Sequence, residues 1–361
     1  MLHVDLDQFV VAVELLRRPA LRGVPVIVGT VGDPTRRGVV SGCSYEAREF
    51  GIRSGMSLHE ARRRCPHAVF LPPDFETYRE ASRQTMAVLA GCGDEFEEAG
   101  WDEAFLGVDS DEPEHRARDI QAAVLARTGL VCSVGIGDTK VRAKVASGLA
   151  KPGGVFRLTA KNWLEVVGPY APRRLWGVGP RTEARLAALG IRTVRALAGA
   201  DPAALTRAFG PTLGPHLVAL ARGEGPSAIV EEHPPIRSHG HQRTFDPDVV
   251  DPETVRREVR RDARVLADDL RRLDRGVRRV VVTIRFAPFR THAHGVTLRR
   301  PTGEAGRIET AALAALDRFS LDSPVRMVGV RAELTPPDAR EGRGPPGRRR
   351  PRPATDVASV H

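Results

Sequence analysis

The sequence predicts an α+β fold whose first half is built from alternating strands and helices. Leu2, Val4 and Leu6 alternate with polar residues, which is the period-two pattern of a half-buried strand. A helical stretch follows, and the acidic segment DEFEEAGWDEAFLGV then predicts a hairpin that turns near Gly100. A predicted helix over 115–127 leads to the apolar run LVCSVGIG, so the elements occur in the order of a βαββαβ sheet.

Shorter elements lie between and after these. In the segment 37–73, VVSGC and AVFLP predict strands, and YEAREFG and SLHEARRRC predict two helices between them. Helical periodicity returns over 78–89. The stretch TKVRAKVASGLA predicts a helix that ends at Pro152-Gly153-Gly154, because proline and glycine there stop the helical hydrogen bonding.

The second half of the chain changes character twice. Residues 163–223 are rich in Ala, Leu and Arg and predict a small all-helical module, after which EEHPP at 231–235 predicts a linker. Residues 236–335 return to strands, separated by two helices near 252–274 and 304–319. The segment from Pro336 is rich in Pro, Gly and Arg and has little apolar surface to bury, so it predicts disorder.

Length, charge and cysteine usage exclude several classes of protein. The 361 residues predict two or three domains at about 150 residues each, and the formal net charge of +10 favours a polyanionic partner such as nucleic acid. The four cysteines form no CxxC pair, which excludes a zinc module built on paired thiols and a disulfide scaffold. The N-terminus MLHVDLD is acidic and no apolar run approaches about 18 residues, so we expect a soluble, intracellular protein.

Two pairs of carboxylates are candidates for chemistry. Asp5 and Asp7 lie two apart on the first strand and share a face, whereas the adjacent Asp102 and Glu103 would point to opposite faces of an ideal strand. Only a bend at the hairpin that begins at Gly100 could aim both of the latter toward Asp5. Three carboxylates together suit two-metal phosphoryl transfer, because Mg²⁺ prefers hard oxygen ligands. The alternative is a capped strand end and a solvated turn.

Several further residues could hold phosphate. Tyr45 and Arg48 share one face of a predicted helix, and both side chains can reach phosphate oxygens, although a surface Tyr–Arg pair is the alternative. Lys140, Lys144 and Lys151 lie along one stripe at offsets 0, 4 and 11, with a solvated basic face as the alternative. In the turn WGVGP, two glycines allow backbone N–H groups to approach a phosphate, unless it is a plain loop.

Five segments occur in an order that identifies a family: HVDLDQF, VVSGCSYEAREFGIRSGM, WDEAFLGV, SVGIGDTKVRAKVASGLAKPGG and LWGVGPRTEARLAALGI. Over roughly residues 1–335 the chain closely resembles the Y-family DNA polymerases, the translesion enzymes, in their DNA polymerase IV (DinB) branch. The resemblance implies a right-hand polymerase with a ferredoxin-like palm, small fingers, a helical thumb that carries a helix–hairpin–helix, and a separate α/β little finger. The implied boundaries are 1–8 and 74–162 for the palm, 9–73 for the fingers, 163–231 for the thumb, 236–335 for the little finger and 336–361 for a disordered basic tail.

The resemblance also implies the reaction and its residues. It implies a template-directed DNA polymerase that adds nucleotides to a primer 3′-OH with two Mg²⁺ ions, for which Mn²⁺ could substitute. The implied catalytic metal ligands are Asp5, Asp102, Glu103 and the backbone carbonyl of Leu6, which leaves Asp7 a structural role. The residues implied to hold the incoming nucleotide are Phe9, Val10, Tyr45, Arg48 and Lys151.

The chain departs from the family pattern near the expected nucleotide. The family usually has Tyr or Phe immediately after the aromatic residue of its first motif, where the ring packs under the sugar and excludes a 2′-OH; here that position is Val10. A shorter aliphatic side chain is a weaker barrier, so we expect relaxed discrimination against ribonucleotides, unless Phe9 or the backbone enforces sugar choice. Gly100-Trp101 replaces the usual Ser-Ile/Leu, and Gly42 stands where a Thr often contacts the triphosphate.

The remaining expectations concern nucleic acid and partners. The candidates for DNA contact are Gly177 and Gly179 in the thumb and Arg237, Arg243, Thr244 and Arg285 in the little finger. The expected partners are primer–template DNA, dNTPs and rNTPs, with no membrane. The tail has no Gln-Leu-Phe-like element, so we expect weak or absent binding to the sliding clamp, and we expect a monomer.

Two other functions compete with this interpretation. A nucleotide cyclase can use the same palm topology and a paired-metal site, but it has no need of the helix–hairpin–helix or of the C-terminal module. A noncatalytic DNA-binding accessory protein could keep the fold, but it has no need of the set Asp5, Asp102, Glu103 and Lys151.

Overall fold

The computed structural model describes residues 1–231, 235–273 and 275–336. The chain divides into two compact units, Met1–His233 and Pro234–His361. Within the described ranges, no helix combines the length and the apolar character needed to cross a bilayer. Most of the predicted linker and tail, residues 232–234 and 337–361, lies outside the described residues.

The first unit contains three hydrophobic cores, formed around a five-stranded sheet, a three-stranded sheet and a group of short helices. Its strands are β1 (Leu2–Leu6), β2 (Val26–Gly29), β3 (Val40–Cys43), β4 (Val69–Leu71), β5 (Glu95–Gly100), β6 (Glu103–Gly107), β7 (Cys132–Gly137) and β8 (Val155–Leu158). Its helices are α1 (Phe9–Arg17), α2 (Tyr45–Glu49), α3 (Leu58–Arg64), α4 (Phe75–Ala90), α5 (Pro113–Thr128), α6 (Lys140–Ala150), α7 (Trp163–Val166), α8 (Pro180–Ala188), α9 (Val194–Ala198), α10 (Pro202–Phe209) and α11 (Leu213–Ala221), with 3₁₀ turns at Pro19–Leu21 and Pro172–Arg174.

A five-stranded sheet forms the centre of this unit. The strand order is β5-β6-β1-β7-β8, in which β1 is antiparallel to both of its neighbours and β8 adds in parallel to β7. The first four strands have the order expected of a βαββαβ unit, so the predicted ferredoxin-like palm is confirmed. Leu2, Val4 and Leu6 are buried on one face, where α4 and α5 contribute Met86 and Ile120 to the same core.

Helix α6 covers part of the opposite face and approaches unusually closely. Gly135 of β7 makes this approach feasible, because a Cβ there would overlap the carbonyl oxygen of Ala143. His3 lies between β1 and α6, completely buried, and its Nδ1 is 2.8 Å from the hydroxyl of Ser147. The close contact places the polar side of α6 beside the ends of β1 and β6.

Two smaller cores complete the first unit. Strands β3-β2-β4 form a three-stranded sheet that packs with α2 and α3 around Ile27, Ile52 and Leu58. Helices α7 to α11 pack around Trp163, whose indole N–H donates a hydrogen bond to the carbonyl of Ala221 at 2.7 Å.

The second unit is a four-stranded antiparallel sheet with both of its helices on one face. Its elements are β9 (Ser238–Val249), α12 (Pro252–Leu273), β10 (Val277–Phe286), β11 (Arg290–Thr302), α13 (Ala305–Leu316) and β12 (Val325–Leu334). The strand order is β11-β10-β12-β9, so β9 and β11 are the edges of the sheet among the described residues. Val280, Val282 and Ile284 face the helices in one core, and Val281, Thr283 and Arg285 face the other way.

Candidate active site

The pairing of β1 with β6 brings the candidate carboxylates together. Asp5 is the cross-strand partner of Glu103, and the N–H of Leu6 donates to the carbonyl of Asp102 at 2.9 Å. Asp102 occupies the turn between β5 and β6, and the register of that hairpin shifts between Glu98 and Gly100. Because Asp102 is outside the regular strand, adjacency to Glu103 does not force the two side chains to opposite faces.

The crowding of the carboxylates is visible in their acidities. The pKa of Asp102 is raised to about 6 by burial first and then by the charges of Asp5 and Glu103. The pKa of Glu103 is instead lowered to about 2, because His3 lies 3.5 Å away and Lys144 forms an ion pair with it. The pKa values of the adjacent Asp102 and Glu103 are therefore shifted in opposite directions.

The three lysines of the α6 stripe each form an ion pair with the sheet. Lys140 contacts Glu97, Lys144 contacts Glu103, and Lys151, just after the helix, contacts Asp5. Their side chains are at most 20% exposed, so the alternative of a solvated basic face does not describe them. A carboxylate has about four lone-pair positions, so Asp5 can accept from Lys151 and still offer oxygen to a cation.

Asp7 holds the backbone of the site. It is buried, and its two oxygens accept hydrogen bonds from the hydroxyl of Ser133 at 2.9 Å and from the N–H of Gly153 at 2.6 Å. These bonds join the end of β1 to β7 and to the loop that carries Lys151. Asp7 thus has the geometry of a structural residue.

Tyr45 and Arg48 form a compact pair on α2. Ser44 caps the helix by accepting from the N–H of Ala47 at 3.2 Å, and the guanidinium of Arg48 lies 4.9 Å from the centre of the Tyr45 ring. The Tyr45 hydroxyl is buried and has no hydrogen-bond partner among the described residues. Burial, followed by the nearby Asp7 carboxylate, raises the pKa of this phenol above its usual value.

Sequence reasoning missed Gln8, which joins the end of β1 to the start of α2. Gln8 has a left-handed backbone with φ of 44°, and its side-chain oxygen accepts from the N–H of Tyr45 at 2.8 Å. A positive φ at a non-glycine residue marks a constrained turn. The sequence carries no signal for it, because a glutamine after Asp7 gives no indication of its backbone conformation.

The residues at the expected sugar contact form one packed group. Val10 is the second residue of α1 and is 7% exposed, and a Cβ added at Gly42 would overlap one of its methyl groups. The two departures from the family pattern, Val10 and Gly42, are therefore in direct contact, and a larger residue at position 42 would collide with Val10. Phe9 is also buried, and its ring meets that of Trp101 edge to face, with 5.6 Å between the two ring centres.

Trp101, in the turn of the hairpin, belongs to an aromatic cluster. Its ring stacks on that of Phe75 of α4, with 6.4 Å between the ring centres. It packs edge to face with the ring of Tyr78, with 6.2 Å between the ring centres. Trp101 is 38% exposed, so one side of the indole remains at the surface beside Asp102. Aromatic packing thus anchors the turn that carries this carboxylate.

The turn WGVGP leads into α8 with its backbone accessible. Gly177 has φ of 85°, which favours glycine, and a Cβ on either Gly177 or Gly179 would meet nothing within 4 Å. Trp176 is half exposed, and the Lys144 ammonium lies 5.5 Å from the centre of its ring.

The four candidate DNA contacts of the second unit do not share a surface. Met327 of β12 is paired with Thr244 of β9 on one side and with Arg285 of β10 on the other. Thr244 and Arg285 therefore lie on the same face of the sheet, the face that the helices leave open. Arg243 lies on the helix-covered face, 3.6 Å from Glu258 of α12. Arg237 is exposed just before β9.

The opposite pKa shifts of Asp102 and Glu103 predict opposite effects of neutralising them. A carboxyl with a raised folded pKa destabilises the fold above that pKa, so Asp102→Asn should raise the free energy of unfolding at pH 8 by about 1–3 kcal/mol. The gain should fade as the pH falls from 6 toward 4, because the Asp102 carboxyl of the folded chain becomes protonated over this range. Glu103→Gln should lower the stability by a similar amount, since its charge is favoured in the fold.

Urea unfolding of the full chain in EDTA, from pH 4 to pH 8, measures both variants. The exposed Glu98→Gln, on the same hairpin, is the matched control and should change little. A shift of the same sign for Asp102→Asn and Glu103→Gln would contradict the electrostatic description.

Comparison with known proteins shows the family to which the chain belongs. The impB/mucB/samB family matches residues 4–148, and its C-terminal domain matches 236–342. "DNA polymerase IV 2" of Mycobacterium tuberculosis is 45% identical over 337 residues, covering 92% of this chain and 97% of that protein. "DNA polymerase IV" of Streptomyces coelicolor is 37% identical over 339 residues, covering 91% of this chain and 69% of that protein.

Solved structures show the same fold. A Y-family DNA polymerase chimera of Dbh and Dpo4 superposes with a TM-score of 0.79 at 22% identity, covering 92% of this chain and 98% of the chimera. An insertion ternary complex of Dbh DNA polymerase has a TM-score of 0.63 at 22% identity, over 92% and 98% of the two chains. With the matched family and the relatives above, these findings place the chain in the impB/mucB/samB family, as a DNA-directed DNA polymerase of the DinB branch of the Y family.

Proposed function

We propose that this polymerase joins an incoming nucleotide to a primer 3′-OH by two-metal phosphoryl transfer. Asp5, Asp102, Glu103 and the carbonyl of Leu6 would hold two Mg²⁺ ions. The observation that carries the proposal is the pairing of β1 with β6, which sets Asp5 opposite Glu103 and brings Asp102 to the end of β1. The charges of Asp5 and Glu103 also help to raise the pKa of Asp102, after burial. The donors are hard oxygens, which suit Mg²⁺ and Mn²⁺.

The bound ions would supply charge neutralisation and alignment of the attacking and leaving oxygens. The chain's own residues position the substrate around them. Tyr45 and Arg48 would contact the triphosphate, with the unpartnered Tyr45 hydroxyl as donor and the guanidinium as a two-pronged donor. Lys151 would exchange one contact with Asp5 for a phosphate oxygen.

Primer extension by the full chain tests the reaction. Asp5→Asn, Asp102→Asn and Glu103→Gln should each abolish templated extension in Mg²⁺ and in Mn²⁺, whereas Glu98→Gln should retain it. Asp102→Asn is informative because we expect it to be at least as stable as the native chain, so lost activity cannot be ascribed to unfolding.

The same assay separates the competing functions. Pyrophosphate release that needs primer and template supports the polymerase, whereas cyclic nucleotide formed from ATP without DNA would support a cyclase. Extension that survives Asp102→Asn would contradict the assigned metal ligands.

The proposal includes relaxed discrimination against ribonucleotides. The supporting observation is the packed pair of Val10 and Gly42, which leaves a short aliphatic side chain at the position where the family usually has an aromatic ring. Gly42 contributes no side chain beside position 10, and a methyl group of Val10 occupies the space that a Cβ there would fill.

Val10→Tyr should increase the preference for dNTP over rNTP by about 10- to 200-fold, the range expected for one packing contact in a substrate pocket. The ratio of kcat/KM for matched dNTP and rNTP measures it, and Val10→Ala is the control for a further loss of volume. If the native chain rejects rNTPs as strongly as Val10→Tyr does, the proposal fails.

The proposal assigns the palm to 1–8 and 74–162, the fingers to 9–73, the thumb to 163–231 and the little finger to 236–335. The thumb would grip DNA through the accessible backbone at Gly177 and Gly179, and the little finger through the open face of its sheet, which carries Thr244 and Arg285. We further propose primer–template DNA, dNTPs and rNTPs as partners, a monomer in the bacterial cytosol or nucleoid, and weak or no binding to a sliding clamp. The tail on which the clamp expectation rests lies outside the described residues.

Arg285 and Arg243 provide a matched test of the open face. Arg285→Ala should weaken binding to a primer–template duplex and reduce the salt dependence by about one phosphate contact. Arg243→Ala should leave the salt dependence unchanged, because this guanidinium faces Glu258 beneath the sheet. Fluorescence anisotropy across a salt series measures both variants, and an equal change in slope would contradict the assignment of faces.

A further inference from the structure

The edge strand β9 presents polar side chains to the helix-covered face of its sheet. At the neighbouring positions β12 carries Ala332 and Val330, and β10 carries Val280 and Val282, all buried. The corresponding residues of β9 are His239, opposite Ala332, and His241, opposite Val330. Two imidazoles thus occupy sites at which the other strands place aliphatic side chains.

These imidazoles converge on one carboxylate of α12. His239 Nε2 lies 3.1 Å from Asp269 Oδ2, and His241 Nε2 lies 2.7 Å from the same oxygen. The three ligand atoms lie within 4.8 Å of one another. The other oxygen of Asp269 is held by Arg272, so the carboxylate is fixed in place with Oδ2 directed at both rings.

The separations are close to those of a coordination sphere. In a tetrahedral site with metal–ligand bonds of about 2.0 Å, the ligand atoms lie about 3.3 Å apart. The two oxygen-to-nitrogen distances, 3.1 and 2.7 Å, are near this value, and the two imidazole nitrogens lie within 4.8 Å of each other. The side chains are about one-fifth to one-third exposed, which gives an ion access and leaves a side open for water as a fourth ligand.

We propose that His239, His241 and Asp269 form a binding site for a divalent transition-metal ion of the Zn²⁺ type. Two neutral imidazoles and one carboxylate favour Zn²⁺, Co²⁺ or Ni²⁺ over Mg²⁺, which prefers an all-oxygen, largely hydrated shell. The site differs in chemistry and in location from the carboxylate cluster of the first unit.

The bound ion would fasten β9 to α12. An edge strand has a hydrogen-bonded neighbour on only one side, so its second attachment must come from side chains. The opposite face of β9 carries Gln242 and Thr244 on the open surface. The ion would therefore stabilise the strand that presents these residues.

Cobalt binding to the full chain tests the site. The protein carries Asp5→Asn and Asp102→Asn, so that the cluster in the first unit does not contribute, and Co²⁺ is added while its visible absorption and equilibrium dialysis are recorded. We expect one bound equivalent with a d–d spectrum typical of low coordination number, lost in His239→Gln and in His241→Gln. The matched control is His292→Gln, because His292 and His294 also lie two apart on an edge strand but have no carboxylate grouped with them among the described residues.

A second measurement uses the native sequence and so does not depend on the folding of any variant. Zn²⁺ should protect His239 and His241 from carbethoxylation by diethyl pyrocarbonate, as mapped by peptide mass spectrometry, while the exposed His292 stays reactive. Binding that persists in both histidine variants, or equal reactivity of His239 and His241 with and without Zn²⁺, would show a hydrogen-bonded pair only and overturn the proposal.

Discussion

Mutual repulsion among three carboxylates is the constraint around which the first unit is built. Antiparallel pairing of β1 and β6 fixes Asp5 beside Glu103, and the turn adds Asp102 to the same place. Such a cluster opposes folding unless cations offset it. Lys144 and Lys151 provide part of this compensation, and they reach the acids because α6 packs directly on β7 over Gly135.

The positively charged neighbours offset the charge of Glu103 more than that of Asp102, and this difference bears on how the cluster would bind cations. Glu103 has both His3 and Lys144 as neighbours and stays ionised, whereas Asp102 is buried between two like charges and holds a proton near pH 6. A divalent cation would relieve the part of the rise in the Asp102 pKa that comes from the charges of Asp5 and Glu103; burial causes the larger part. We therefore expect the arrangement to be less stable than a neutral one but to favour the divalent cations that the proposed phosphoryl transfer would need.

The sequence predicted the topology of the palm and the candidate ligands, because alternation along β1 and the long family motifs are local signals. It did not predict the ion pairs of the lysines, because the same spacing of lysines occurs whether the side chains face water or carboxylates. The close approach of α6 to β7 at Gly135 is what brings these lysines to the acidic residues. It left open the effect of Trp101, because the stacking partner Phe75 lies on a distant helix. Alternation puts Arg243 and Thr244 on opposite faces, but only the packing of α12 shows which face is covered.

The most direct measurement of the central claim is anomalous scattering from Mn²⁺ in crystals of the full chain with primer–template DNA and a non-hydrolysable dNTP analogue. We expect two anomalous peaks, which mark two Mn²⁺ ions, each bound by Asp5 and by one or both of Asp102 and Glu103. Peaks located elsewhere, or carboxylates that remain paired only with lysines while the nucleotide is bound, would contradict it.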